Sequence, residues 1–396
     1  AYDECRSRRK REGEECPMER ENEHPAAPGR RAGAWIKKNA VLVIALCAAA
    51  ISALFVPPDG EYAGYFDVKT LCCLFGTLAV VCALKNIHFF AILARRLIRL
   101  TGNTRAAALA LAYITFIGSM LIANDMALIT FLPLGYFVFS TLGDKRQVAF
   151  VFILQNIAAN LGGMLTPFGN PQNLYLYAHY HIPTGEFMGV MLLPFLVAMA
   201  LVTGCCFLLP RHSLRIDQRR EDRLPPVRTA AYLLLFALTI LMVFRLLPVW
   251  LALGAVIAGL LLLDRRALLQ VDYGLLCTFV CFFIFSGNMS RLAPVRDFFS
   301  RLLQANTLLT AVLSCQVISN VPSAILLSQF TDNYAALLRG VNIGGTGTLI
   351  ASLASLITFR EYVGHYREET KTYLKLFALL NAVFLGILTG LCLLAG

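Results

Sequence analysis

Residues 106–143 read AAALALAYITFIGSMLIANDMALITFLPLGYFVFSTLG, a run in which Asp125 is the only charge. One crossing of a hydrocarbon core takes about 20 residues, so the run is too long for a single span. A straight helix would also carry the Asp125 carboxylate toward the bilayer centre, at a cost of about 3 kcal/mol or more. Two half-helices meeting at Ala123-Asn124-Asp125 resolve both problems, provided that the tip is buried in protein rather than in lipid. Asn and Asp suit such a turn because their side chains cap the free N–H groups of the second half-helix. A plain N-cap role for Asp125 fits the same turn.

The logic recurs without the acid. Residues 302–331 contain no Asp, Glu, Lys or Arg, and Ser319-Asn320-Val321-Pro322 falls in their middle. Pro322 can open a second half-helix, because the first turn of a helix has no use for its missing N–H. Each hairpin is followed by a second irregularity. Between Gln147 and Gly185 there is again no Asp, Glu, Lys or Arg, yet NLGGMLTPFGNPQN (160–173) interrupts the apolar pattern; NIGGTGTLIASLAS (342–355) does the same farther on. Gly and Pro at those points free backbone carbonyls and amides, which inside a membrane must face a wet or ligand-filled cavity.

The rest of the chain has a membrane composition. Of 396 residues, 58% are hydrophobic and 15% are charged, and the mean hydropathy is +0.65, outside the range of an ordinary soluble domain. Positions 39–58, 187–210 and 374–394 are each long enough to cross the bilayer. The net charge of +11 does not indicate nucleic acid, because the Lys and Arg residues sit in short segments between apolar stretches, where they set topology. Ten of the twelve cysteines, Cys277 and Cys281 among them, lie in apolar spans without His or carboxylate partners, so no transition-metal site is expected. The sequence has no P-loop, no HExxH and no catalytic triad, and an enzyme is not expected.

Residues 1–38, charged in both signs and without an apolar core, read as a disordered cytoplasmic tail. Cys5, Cys16 and His24 in that tail are read as solvated. The acidic loop Asp59 to Asp67 is then outside, Lys85 to Arg105 inside, and the basic loop Arg211 to Arg228 inside. DVKTLCCLFGTLAVVCALKNIHFFAILARRL (67–97) parallels DYGLLCTFVCFFIFSGNMSRLAPVRDFFSRL (272–302), ANDMALITFLP (123–133) parallels SNVPSAILLSQ (319–329), and the two breaks parallel each other. An extra span at 229–246 reverses the direction of the second copy. The expected fold is therefore an all-α polytopic membrane protein of two inverted repeats, each with a re-entrant helical hairpin and a broken transmembrane helix. Its parts are the tail 1–38, a first repeat 39–210, a basic loop and linking helix 211–246, and a second repeat 247–396. Nine spans plus two hairpins place the C-terminus outside.

Paired broken helices near the midplane imply a solute site. Half-helix N-termini suit an anion, while half-helix C-termini and loop carbonyls suit a small cation. Candidate solute-binding residues are Asn124, Asn160, Gly162, Thr166, Asn170, Asn173, Ser319, Asn320, Thr346, Thr348 and Ser352. Asp125, with Asn124, Asn160, Asn320 and Asn342, is the candidate set for coupling to Na+ or H+. His179 and His181 read as loop residues, and Arg360 and Glu361 as a surface pair.

These motifs resemble the ion transporter superfamily, which includes arsenite permeases, NhaD sodium/proton antiporters, citrate-transporter-like permeases and divalent-anion:sodium symporters. The resemblance spans residues 39–396 and rests on IANDMALITFLP, LTPFGNPQN, SNVPSA and NIGGTGTLIASLAS. It implies a scaffold domain, a moving domain carrying both hairpins, a homodimer in a cell membrane, and elevator-like alternating access. The symporters read Ser-Asn-Thr at both tips. Here the asparagines are retained in Ala123-Asn124-Asp125 and Ser319-Asn320-Val321, but the hydroxyls largely are not, and the first tip is similar to the arsenite permease pattern. The expected function is secondary active transport of a small anion, a di- or tricarboxylate or inorganic oxyanion. Arsenite or antimonite efflux, Na+/H+ antiport, and a non-transporting receptor or scaffold are the alternatives.

Overall fold

The computed structural model describes residues 39–140, 142–214 and 223–395. The tail 1–38, with Cys5, Cys16 and His24, and the middle of the basic loop lie outside the described residues. Among the described residues there are seventeen α-helices and no strand; the backbone bridge Asn103–Ser213 is isolated.

The first half holds α1 (Ala40–Phe55), α2 (Val68–Asn86), α3 (Phe89–Arg99), α4 (Thr104–Ile122), α5 (Asn124–Ser140), α6 (Lys145–Gly162), α7 (Pro171–His179) and α8 (Thr184–Phe207). After α9 (Pro226–Val243), α10 (Val249–Leu263) and the short α11 (Arg265–Leu269) come α12 (Tyr273–Arg291), α13 (Ala293–Ile318), α14 (Asn320–Leu327), α15 (Tyr334–Gly344), α16 (Leu353–His365) and α17 (Thr370–Leu394). One order of parts occurs twice: span, amphipathic arm, hairpin, broken helix, span.

Matching caps at matching places produce that recurrence. Asp67 Oδ1 accepts Thr70 N–H at the head of α2 (3.0 Å), and Asp272 Oδ1 accepts Leu275 N–H at the head of α12 (2.9 Å). Asn103 Oδ1 accepts Ala106 N–H where α4 starts (3.0 Å). Its counterpart Asn306 accepts Leu309 N–H (2.8 Å), and there the α13 backbone leaves the helical region (φ −165°, ψ 104°). The first part of α13 is thus an arm equivalent to α3, and the remainder is the first leg of the second hairpin.

The helices pack as two groups. α1 lies along α12, and α2 lies against α9 and α10; α4, α5 and α6 form a second bundle, joined by α8, α16 and α17, with α13, α14 and α15 alongside. Every residue from Val151 to Leu165 is buried, as expected for a helix at the axis of a bundle. Gly162 makes this possible: a Cβ there would lie 2.3 Å from the Phe116 carbonyl oxygen, so only glycine lets α6 cross α4 so closely.

Among the described residues, seven helices are long and apolar enough to cross a membrane: α2, α4, α6 with its final turn, α8, α9, α12 and α17 with the turn before it. α1, α5 and α10 are shorter apolar helices. The expectation of nine spans counts α1 and α10 as crossings and treats α6–α7 and α15–α16 as single interrupted ones, so it rests on connectivity as well as on helix length.

Candidate functional site

The two hairpin tips share one backbone geometry. Ala123 has φ 65° and ψ 153°, and Ser319 has φ 75° and ψ 160°. Residues with a Cβ rarely adopt this region, at a cost on the order of 1–3 kcal/mol each, so both turns are held by their surroundings. Asn124 Oδ1 accepts the Asp125 N–H (3.0 Å), and Asn320 Oδ1 accepts the Val321 N–H (2.9 Å). The second tip is tied to the second break, with Asn320 N–H and the Ser319 hydroxyl both donating to the Ala351 carbonyl (3.0 and 3.2 Å). The first tip is tied to the first break: Thr166 Oγ1 donates to the Met120 carbonyl (2.8 Å) and Asn124 Nδ2 donates to Asn160 Oδ1 (3.1 Å).

The breaks are built from side-chain amides standing in for missing helical bonds. α6 ends at Gly162, a short 3-10 turn follows over Gly163–Leu165, and α7 starts on Pro171. Asn173 Nδ2 donates to the carbonyls of Gly163 (3.0 Å), Met164 (3.3 Å) and Thr166 (3.3 Å). At the second break Gly347 has φ +123°, and a Cβ there would lie 2.2 Å from Gln316 Oε1. Gln316 takes the bridging role, donating to the Gly344 and Thr346 carbonyls (2.9 and 3.2 Å) and accepting Thr348 N–H (2.8 Å).

The two breaks also bind each other. Asn342 Nδ2 donates to Asn173 Oδ1 (2.6 Å), while its Oδ1 accepts from Asn170 (3.3 Å) and Gln172 (3.5 Å). Asn156 Nδ2 donates to Ser355 Oγ (3.2 Å), which is 2.9 Å from Ser352 Oγ. The Gly345 Cα carries no side chain where Asn320 Nδ2 lies 3.1 Å and Asn160 Oδ1 3.8 Å from a Cβ position. Both tips therefore converge on Asn160 and Gly345.

Of the expected residues, the structure brings Asn124, Asn160, Asn170, Asn173, Asn320, Asn342 and Ser352 into one buried cluster, with Ser319 at its edge. Gly162 acts as a close-packing position. Thr166 fastens a tip, Thr346 is buried and donates to the Ile343 carbonyl (2.6 Å), and Thr348 is turned to Gln316 (3.1 Å to its carbonyl). Asp125 stands apart. Its carboxyl makes no hydrogen bond to the asparagines, its Oδ1 is buried without a partner, and its neighbours Ile122 and Ala127 pack with Leu78–Leu84 of α2. Gln316, Gln172, Ser355 and Gly345 complete the site, and of these only Gln316 stands outside the two break motifs.

The cluster offers two chemistries. Half-helices α5, α7, α14 and α16 start at its borders and present N–H groups, which favour negative charge. Asn170 Oδ1 and Gln172 Oε1 are buried acceptors without a donor, oxygens of the kind that coordinate hard cations. Among the described residues, no three His, Cys, Asp or Glu side chains are placed to hold a metal ion.

The chain is similar to known membrane proteins. The chain is 31% identical over 302 residues to the uncharacterized transporter MJ0456 of Methanocaldococcus jannaschii, covering 76% of this chain and 82% of that one. It is 30% identical over 322 residues to the inner membrane protein YbiR of Escherichia coli, covering 78% and 84%. A shorter match, 34% over 149 residues (37% of this chain and 28% of the relative), is to the silicon efflux transporter LSI3 of Oryza sativa subsp. japonica. Among solved structures, the YdaH transporter of Alcanivorax borkumensis superposes with a TM-score of 0.49 at 13% identity, over 89% of this chain and 96% of that one. The citrate transporter (CitMHS) family model matches residues 33–354. The chain is thus a multi-pass membrane protein that belongs to the citrate transporter family.

Proposed function

We propose that the protein is a secondary active transporter of a small anion, a di- or tricarboxylate or an inorganic oxyanion, coupled to Na+ or H+ and working by elevator-like alternating access of two inverted repeats. The observation that carries this reading is the convergence of Asn124 and Asn320, on tips of matching geometry, at Asn160 and Gly345. Half-helix N-termini supply anion-binding N–H groups, and the free oxygens of Asn170 and Gln172 supply a cation-binding wall. Asp125 joins the coupling set as a buried carboxyl beside the tip that needs a proton or cation as counter-charge. The reading includes a cytoplasmic N-terminus, an outer C-terminus and a homodimer.

Metalloid oxyanion efflux or Na+/H+ antiport on the same scaffold is a second reading. It is favoured by the Ala123-Asn124-Asp125 tip and by the silicon efflux function in the name of the rice relative. A receptor or scaffold without transport has no use for paired tips and paired breaks.

Purified protein in liposomes separates these readings. Uptake of labelled citrate, succinate or sulfate driven by a Na+ or pH gradient is expected, while arsenite extrusion or cation exchange alone would favour the second. Absence of all flux from a folded, monodisperse sample refutes transport. Asp125→Asn should change Na+ or pH dependence with abundance unaltered, and unchanged coupling would reduce Asp125 to a helix cap.

A further inference from the structure

A cavity of about 1050 Å³ opens where the α1–α2 loop, the α9–α10 turn and the C-terminal ends of α7 and α12 meet. In the topology proposed above this is the outer end. Its basic lining is Lys69, Arg245, His179 and His181, and Asp67 is its single carboxylate. Asp67 is already engaged, its Oδ1 accepting Thr70 N–H (3.0 Å) and its Oδ2 accepting the Thr70 hydroxyl (2.5 Å). Among the described residues no carboxylate pairs with Lys69 or Arg245. Two permanent cations thus line a recess walled by protein, where field lines concentrate and anions are drawn in.

Arg245 is placed there with some insistence. It has φ 60°, a left-handed conformation for a residue with a Cβ, and its guanidinium lies 4.3 Å over the Tyr177 ring while Nη2 donates to the Tyr177 carbonyl. That uses one N–H of five and leaves the rest of the fork without a protein acceptor. An arginine fork of this kind matches the two oxygens of a carboxylate or oxyanion. Tyr177 belongs to α7, the half-helix whose first turn carries Asn173 of the buried cluster, and His179 on the same helix stacks on Tyr175 (5.2 Å between ring centres). The cavity and the asparagine cluster lie at opposite ends of one short helix.

We infer that this cavity is an anion-capture site, in which Arg245 and Lys69, with His179 at the wall, take up a carboxylate or inorganic oxyanion ahead of the asparagine cluster. Onward passage rests on the transport reading above; binding in the cavity does not.

Trp250 lines the cavity, and the only other tryptophan is Trp35, so Trp35→Phe leaves a single indole reporter at the site. Citrate and sulfate are titrated into this folded variant in detergent at low salt, with Trp250 fluorescence as readout. A saturable change is expected, with a midpoint that weakens as NaCl is raised. Adding Arg245→Gln should raise that midpoint about tenfold, the loss of one charge-assisted contact; Lys69→Gln should raise it about threefold by lost field. Asn160→Ala in the buried cluster should leave it in place. No saturable change with either anion overturns the inference, as does a midpoint indifferent to Arg245→Gln, or to Lys69→Gln if the arginine variant fails to fold. Loss of the signal in Asn160→Ala also overturns it, by locating the anion in the cluster. Saturable Trp250 binding without any liposome flux would refute transport and leave this site standing.

Discussion

Asn342 joins the two broken helices, and its replacement by alanine is the sharpest test of that junction. The substitution removes the donor to Asn173 Oδ1 at 2.6 Å and the acceptor for Asn170 and Gln172 at 3.3 and 3.5 Å. Asn170 Nδ2 keeps the Asn160 carbonyl at 3.4 Å. Asn173 Oδ1 and Gln172 Nε2 lose the partners seen in the structure, and stranding a buried polar group costs about 1–3 kcal/mol. Hydrogen bonds between membrane helices average only about 0.6 kcal/mol each, which sets the lower end at roughly 2 kcal/mol for three bonds. The expected loss is therefore about 2–5 kcal/mol. Reversible unfolding in mixed micelles of rising SDS content measures it directly. Asn342→Asp serves as the companion variant: it keeps an acceptor for Asn170 and Gln172 but sets an oxygen against Asn173 Oδ1, so it should lose at least as much. A loss under about 1 kcal/mol in both variants would refute the account of the breaks as one hydrogen-bonded unit.

Gly347→Ala should destabilise by about 2–4 kcal/mol, because its φ of +123° and the Gln316 oxygen 2.2 Å from the new Cβ both resist the change; adding Gln316→Ala should recover only part, since it removes the clash but not the backbone strain. Asn124→Ala and Asn320→Ala should each weaken solute or cation affinity in the liposome assay, and wild-type affinities in both would remove the tips from the site. At the loop end, the hydrogen bond from Arg291 holds the Asp59 carboxyl below its usual value of 3.8. A carboxyl lowered in the folded state contributes above its unfolded pKa and loses that contribution as pH falls through the lowered value. Pepsin clipping within residues 56–66 should therefore accelerate as pH falls below about 4 in the natural chain, and Arg291→Gln should be fast already at that pH; equal profiles for the two would show that the ion pair does not hold the loop.

Much of the architecture was legible because membranes make polar residues conspicuous. A lone acid in 106–143, Asn-Val-Pro in 302–331 and glycines in two matched breaks have few structural solutions in a low-dielectric medium, and the helices turn where those residues lie. Side-chain direction was less legible. Successive residues of a helix point about 100° apart, so Asn124 faces the cluster while the carboxyl of Asp125, its neighbour in sequence, makes no hydrogen bond to it. Gln316 was not visible as a site residue, because its role depends on the loop of a helix pair that lies far along the chain. The break motif marks Gly162 as a ligand-binding position, but the Phe116 carbonyl beside it makes it a contact point between helices. Arg245, the only Asp, Glu, Lys or Arg in the expected span 229–246, gives no sign of its role until the turn after α9 brings it over Tyr177.

The hydrogen bond between Asn173 and Asn342 has a mechanical consequence. Neither broken helix can open alone without exposing amides inside the membrane, so under the transport reading proposed above the block would change access by moving whole. Its outer surface is greasy, with Leu192, Leu193 and Leu196 on α8 and Leu379, Val383 and Ile387 on α17 exposed. Displacing that girdle along the membrane normal shifts its match to the surrounding acyl chains, at a cost of fractions of a kcal/mol per Å of mismatch. Turnover by a rigid block therefore carries a lipid term. It should pass through an optimum as acyl-chain length is varied, whereas a site that opened by local flexing would be indifferent to bilayer thickness.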